Sequence, residues 1–176
     1  NPFFQSNTAP TPTPTATPTP PPTPIPASPS YKRVFVTSVL YNGNRGGLSG
    51  ANIECQTRAN AVSLGGTWKA WLSSSVTSAA SQLTQAAVPY KLINDIVIAS
   101  NWTDLTDGTL DSPINKTELQ GVVTSSVWTN TTTSGGIDST TDTCSNWSTG
   151  SGGFCGCVGN SGSVSSLCTV NTTIGC

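Results

Sequence analysis

The stretch KRVFVTSVLYNGNRGGLSGANIECQTRANAVSLGGTWKAWLS, Lys32–Ser73, changes its periodicity twice, and those changes set the fold class. KRVFVTSVLY (Lys32–Tyr41) alternates and is rich in β-branched residues, which reads as a strand. NGNRGGLSG is turn chemistry, after which Ser49 stands where a helix cap would. Ala51, Cys55, Ala59 and Val62 then recur at helical spacing, so Cys55 points inward, until Gly65-Gly66 stops the run. TWKAWLS (Thr67–Ser73) returns to a strand pattern, which would place Trp68 and Trp71 on opposite faces.

Working outward, TSAASQLTQAA (Thr77–Ala87) reads as a short second helix ending before Pro89. YKLINDIVIAS (Tyr90–Ser100) reads as a hairpin around Asn94-Asp95. Beyond Asn101 the pattern is of long loops with short strands at SSVWTN, TCSNWS, GFCGCVGN and SLCTV. Strand, helix, strand, helix and then strands and loops make an α+β class with an antiparallel sheet.

Upstream the texture is different. Between Thr8 and Ser30 lie Pro10, Pro12, Pro14, Pro18, Pro20, Pro21, Pro22, Pro24, Pro26 and Pro29. Each fixes its own φ and drives the preceding residue from the helical region, so the run predicts an extended polyproline II rod. At about 3.1 Å per residue it reaches roughly 70 Å, against about 40 Å for the diameter of a domain of this size. The boundary therefore falls between an arm, residues 1–30, and a domain, residues 31–176. Thr11, Thr13, Thr15, Thr17, Thr19 and Thr23 alternate with the prolines as in an O-glycosylated stalk, the bare linker being the other reading. Beyond the rod lie Pro2, Phe3 and Phe4, an apolar group whose cover could be its own domain, a neighbour or nothing at all.

Composition narrows the setting. Of 176 residues 9% are charged, with a net charge of −1, so there is no basic surface for nucleic acid or an anionic membrane. No apolar run is long enough to span a bilayer. Six cysteines, abundant Ser and Thr and an absence of methionine suit a secreted, extracellular chain from which a signal peptide has been removed. With no histidine, neither a Ser-His-Asp nor a Cys-His apparatus is available, and a zinc site has few ligands to draw on. Asp104, Asp107 and Asp111 cluster, but without calcium-loop spacing, and Asp-Gly beside Thr is ordinary turn chemistry. No metal and no cofactor are expected. Sequons occur at Asn101, Asn115, Asn130, Asn146 and Asn171; Asn115, Asn130 and Asn171 fall in expected loops and are the candidates for N-glycosylation.

The run from Lys32 through TWKAWLS, then VPYKL…IASNWTDLTDGTLDSPIN, VWTNT and TCSNWS, resembles a bacterial secreted lectin-like domain family of unknown function. The resemblance spans about residues 32–148 and implies a C-type-lectin-like or endostatin-like fold: antiparallel strands, two helices and long loops. It implies no reaction. It also pairs Cys144 with Cys176, leaves the partner of Cys55 open, and suggests that the family's closing strand is missing here. The tryptophans match the family's structural core, although they could also stack sugars. Calcium-dependent sugar-binding motifs are absent, so the fold alone does not license lectin activity.

These readings point to a non-enzymatic extracellular structural protein. It would be a repeating subunit of a surface fibre or array, joined head to tail to other copies of itself through the arm, with glycosylation of the arm and loops as an option. The alternative is a stalk-tethered monomeric adhesin or carbohydrate- or protein-binding module.

Overall fold

The computed structural model describes residues 30–170 and 172–176. The arm, including Pro2, Phe3, Phe4 and the threonines from Thr11 to Thr23, lies outside the described residues, as does Asn171. In chain order the elements are β1 (Lys32–Val34), α1 (Gly47–Ala61), α2 (Ala79–Gln82), β2 (Tyr90–Leu92), β3 (Val97–Ala99), α3 (Trp102–Leu105), β4 (Ser126–Trp128), α4 (Cys144–Trp147), β5 (Cys155–Asn160), a 3₁₀ turn (Ser166–Cys168) and β6 (Thr172–Gly175). The class is mixed helix and strand, with two three-stranded sheets.

The first sheet runs β1-β2-β3. β2 and β3 form the expected hairpin, with Asp95 at φ 66° in the left-handed region that such a turn needs. β1, however, lies parallel to β2, with Lys32 opposite Tyr90 and Val34 opposite Leu92, so this sheet is not wholly antiparallel. β1 is also shorter than the strand read over Lys32–Tyr41. Past Val34 its backbone turns to other partners: Val36 donates to the Lys116 carbonyl at 2.9 Å, and Ser38 donates from N and Oγ to the buried Glu118 carboxylate.

TWKAWLS is not a strand. Its amides are taken by side chains: Trp68 N–H by Gln56 Oε1 and Ala70 N–H by Asn52 Oδ1, both at 2.9 Å, with Ser73 N–H reaching the Thr129 carbonyl. The segment therefore runs along α1 like a strand whose ladder is a helix's amide side chains. α1 itself is not capped by Ser49. Gly46 (φ 67°) occupies the cap and Gly47 (φ 74°) follows, so a left-handed entry replaces a side-chain cap. The second helix is one turn, Ala79–Gln82, capped by Ser78 Oγ accepting from Ser81 N–H. Its backbone is released at Leu83, well before Pro89, and among the described residues there are four helices where two were expected.

The second sheet is antiparallel, in the order β4-β5-β6, with β6 an exposed outer strand. Two stretches read as strands are otherwise. SLCTV contains the 3₁₀ turn, and TCSNWS holds α4, in which Cys144, Ser145, Asn146 and Trp147 all have φ between 49° and 64°. This left-handed turn is held at its first residue by the Cys144–Cys176 disulfide, Cα atoms 5.6 Å apart. At its last, Trp147 is fully buried and donates from Nε1 to the Ser73 carbonyl at 2.8 Å. The disulfide fits between two glycines: a Cβ on Gly43 would stand 2.7 Å from the Cys176 Cβ, and one on Gly156 2.7 Å from the Cys144 sulfur.

There are two small cores. Ala51, Leu72, Cys144, Trp147 and Cys176 pack with Leu48, Ala70 and Trp128. Ala86, Tyr90, Leu92, Ile98 and Ala99 pack with Val34, Val88, Trp102, Leu105 and Ile114. Trp71 stands between them, its ring 5.7 Å from that of Trp102.

Candidate binding groove

The seam between the two cores is open. One cavity, of about 190 Å³, is lined by Arg33, Val34, Phe35, Trp68, Trp71, Leu105, Leu110 and Ile114 among others. A second, of about 240 Å³, is lined by Val36, Val39, Leu40, Tyr41, Leu72, Val123, Val127 and Trp128 among others. They share Phe35, Cys55, Ala70, Trp71, Ile114 and Cys168 as a common wall. The walls come from several elements, and Ala70 is the smallest residue of the wall they share.

The tryptophans divide accordingly. Trp68 and Trp71 both line the first cavity instead of facing opposite ways, since the segment that carries them has no strand pleat. Trp68 packs on Phe35 at 4.9 Å, and Trp71 is oriented by an indole N–H bond to Thr169 Oγ1 at 3.0 Å. Trp128 lines the second cavity and donates to the Tyr41 carbonyl, whereas Trp147 is core.

Few polar groups enter the groove. Arg45 binds Glu54 through Nη1 at 2.9 and 3.0 Å and lies over the Tyr41 ring at 4.3 Å. Burial, followed by the Glu54 charge, raises the Tyr41 hydroxyl above its ordinary value. Burial, with the nearby Glu54 and Glu118 carboxylates, pushes the Cys55 thiol up to about 11, and burial raises Cys168 as well. Protonated thiols of this kind are poor nucleophiles at neutral pH. Arg33 donates from Nη2 to Tyr31 Oη at 3.0 Å, while its Nε is buried and makes no hydrogen bond among the described residues.

On the wall of the second cavity Val39 and Leu40 are 39% and 85% exposed. Leu119 and Val122 do not line it, but lie on the segment bonded to Val36 and Ser38 and are 64% and 63% exposed.

Other predicted positions lie elsewhere. Asn130 is fully buried, its amide donating to the Ser139 and Ser73 carbonyls while its Oδ1 accepts from Ser139 N–H. A glycan there is incompatible with the fold, so this candidate is withdrawn. Asn115 is half-buried in the 113–123 loop. Asp104 accepts from Ser100 N–H and Oγ at 2.6 and 2.7 Å, bonds that lower its pKa, and Asp107 bonds Thr109. Both aspartates are thus occupied with their own turns. Among the described residues no group of His, Cys, Asp or Glu is placed to hold a metal ion, and no helix is long and apolar enough to cross a membrane. Cys55, Cys155, Cys157 and Cys168 are unpaired in this structure.

No protein-family model matches the chain, and no curated protein matches its sequence.

Proposed function

We propose that this is a non-enzymatic extracellular structural protein, a subunit that joins further copies of itself into a surface fibre or array through its arm. The observation that carries the reading is the exposed apolar pair Val39 and Leu40 on the wall of an apolar, aromatic-walled groove. A surface of this kind suits protein contact better than catalysis, which calls for converging polar groups. The C-type-lectin-like arrangement belongs to this proposal too, supported by the sequence resemblance and by the mix of short strands, loops and helices.

Extracellular residence is supported by the composition and by the Cys144–Cys176 disulfide. The arm threonines and Asn115 are the proposed glycan carriers.

Energetics require more than the two phenylalanines. Burying both contributes about 3–6 kcal/mol, whereas association costs roughly 4–15 kcal/mol. The exposed apolar pair supplies further contact area, so domain and arm act together. Light scattering with size-exclusion chromatography of the full chain at micromolar concentration tests the proposal. Assemblies well above monomer mass are expected; a strict monomer overturns it and leaves the tethered binding module.

A further inference from the structure

We infer that the two linked cavities are the acceptor for Phe3 and Phe4 of a second copy of this chain, one ring in each cavity. This rests on the assembly reading above and names its site.

Size is the first argument. An apolar cavity of about 150 Å³ accepts one benzene-sized ring, and the cavities here measure about 190 and 240 Å³. Two ring-sized spaces that share one wall suit two adjacent aromatic residues. In an extended segment neighbouring side chains project to opposite sides, and Phe35 and Trp71 stand in the wall that the cavities share.

Position is the second. The arm joins the domain at β1, and Arg33 and Val34 of β1 line the first cavity. The groove therefore lies at the root of its own arm. By its sequence the proline run is expected to extend roughly 70 Å and to be stiff over several residues, longer than a domain of about 40 Å. An arm of that reach can present Phe3 and Phe4 to a neighbour's groove. Such a contact joins two different surfaces and propagates head to tail.

Complementation tests this with the full chain. Phe3→Ala/Phe4→Ala removes the rings and leaves the groove; Ala70→Phe adds a ring to the wall that both cavities share and leaves the rings of the arm. Each variant alone is expected to stay monomeric, and the mixture to form a 1:1 dimer. If the mixture stays monomeric while the wild type assembles, or if the double-alanine variant assembles as the wild type does, the acceptor inference falls and the assembly reading stands. A monomeric wild type instead overturns the assembly reading. The acceptor is then decided by titrating a synthetic peptide of residues 1–9 into the double-alanine variant, whose substitutions lie outside the described domain. That titration also serves if Ala70→Phe does not fold. The indole N–H resonances of Trp68, Trp71 and Trp128 are expected to shift, with a peptide carrying alanines at positions 3 and 4 at least about 100-fold weaker. Absence of those shifts overturns the inference.

Discussion

Removing the Cys144–Cys176 disulfide, by Cys144→Ala/Cys176→Ala, is expected to lower the stability of the domain substantially. The bridge closes a loop over a sequence separation of 32. In the chain-entropy description that closure removes about 12 cal/mol/K from the unfolded ensemble, or about 3.7 kcal/mol at room temperature. Residues 31–176 number 146, and unfolding entropy of about 2.1 cal/mol/K per residue converts this into a fall in Tm of about 12 °C. Packing adds to the loss, because the sulfurs belong to the first core and sit between Gly43 and Gly156. The bridge also ties the β6 end of the chain to the turn that buries Trp147. Calorimetry of the wild type and the double variant reads the Tm, and acrylamide quenching of tryptophan reports whether Trp147 stays buried. A Tm within about 2 °C of the wild type, with quenching unchanged, would refute the reasoning, since about 3.7 kcal/mol cannot vanish in a domain of this size.

Two further predictions concern the backbone and the thiols. Ser145 is exposed at φ 55°; relief of about 1–2 kcal/mol on Ser145→Gly, set against about 0.5–1 kcal/mol of added backbone entropy, leaves a net gain of about 1 kcal/mol. Urea unfolding at constant m checks this, and a loss of stability would mean that the left-handed turn is not what the chain adopts. The Cys55 thiol, raised by burial from an ordinary value of 9.0 to about 11, binds its proton more tightly folded than unfolded. Its contribution is therefore complete below about pH 9 and is lost as pH rises towards 11, by about 2–3 kcal/mol. Stability curves at increasing alkaline pH should flatten in Cys55→Ala relative to the wild type, and identical curves would show that Cys55 is not held in this way.

The hairpin was legible because its signal is local: Asn94-Asp95 between two apolar runs admits few alternatives. α1 was legible for the same reason, with Ala51 and Ala59 buried on one face as their spacing requires. The strand pattern of TWKAWLS misled because alternation records which side chains are apolar, not who receives the amides. Here the α1 side chains of Asn52 and Gln56 take those of Ala70 and Trp68. The left-handed turn at 144–147 left no local mark, since Cys, Ser, Asn and Trp do not ask for positive φ together. The remote bridge to Cys176 and the burial of Trp147 help to hold it, beside hydrogen bonds from Trp147 N–H and Asn146 N–H to Thr143. The groove escaped for a related reason. Its walls come from residues 33 to 169, and no short window contains more than a few of them.

The abundance of Ser and Thr also acquires a second meaning. It first reads as the surface composition of an extracellular protein, yet Ser73, Ser74, Thr117, Thr129, Thr131, Thr143, Ser161 and Thr169 are buried. Ser73 Oγ meets Thr131 Oγ1 and accepts from Ala79 N–H, while Thr129 and Thr169 each donate to the other's segment, at the Thr169 and Thr131 carbonyls. Strands of three residues leave many backbone groups without a ladder, and buried groups of that kind must be satisfied. Hydroxyl and amide side chains do so here. That mode of construction has a consequence for the groove. Side chains spent on backbone bonding are not spent on apolar packing, so two small cores form where one larger core would have closed the seam between them. The open, apolar seam, bounded by Trp68, Trp71 and Trp128, is what such an interior leaves over.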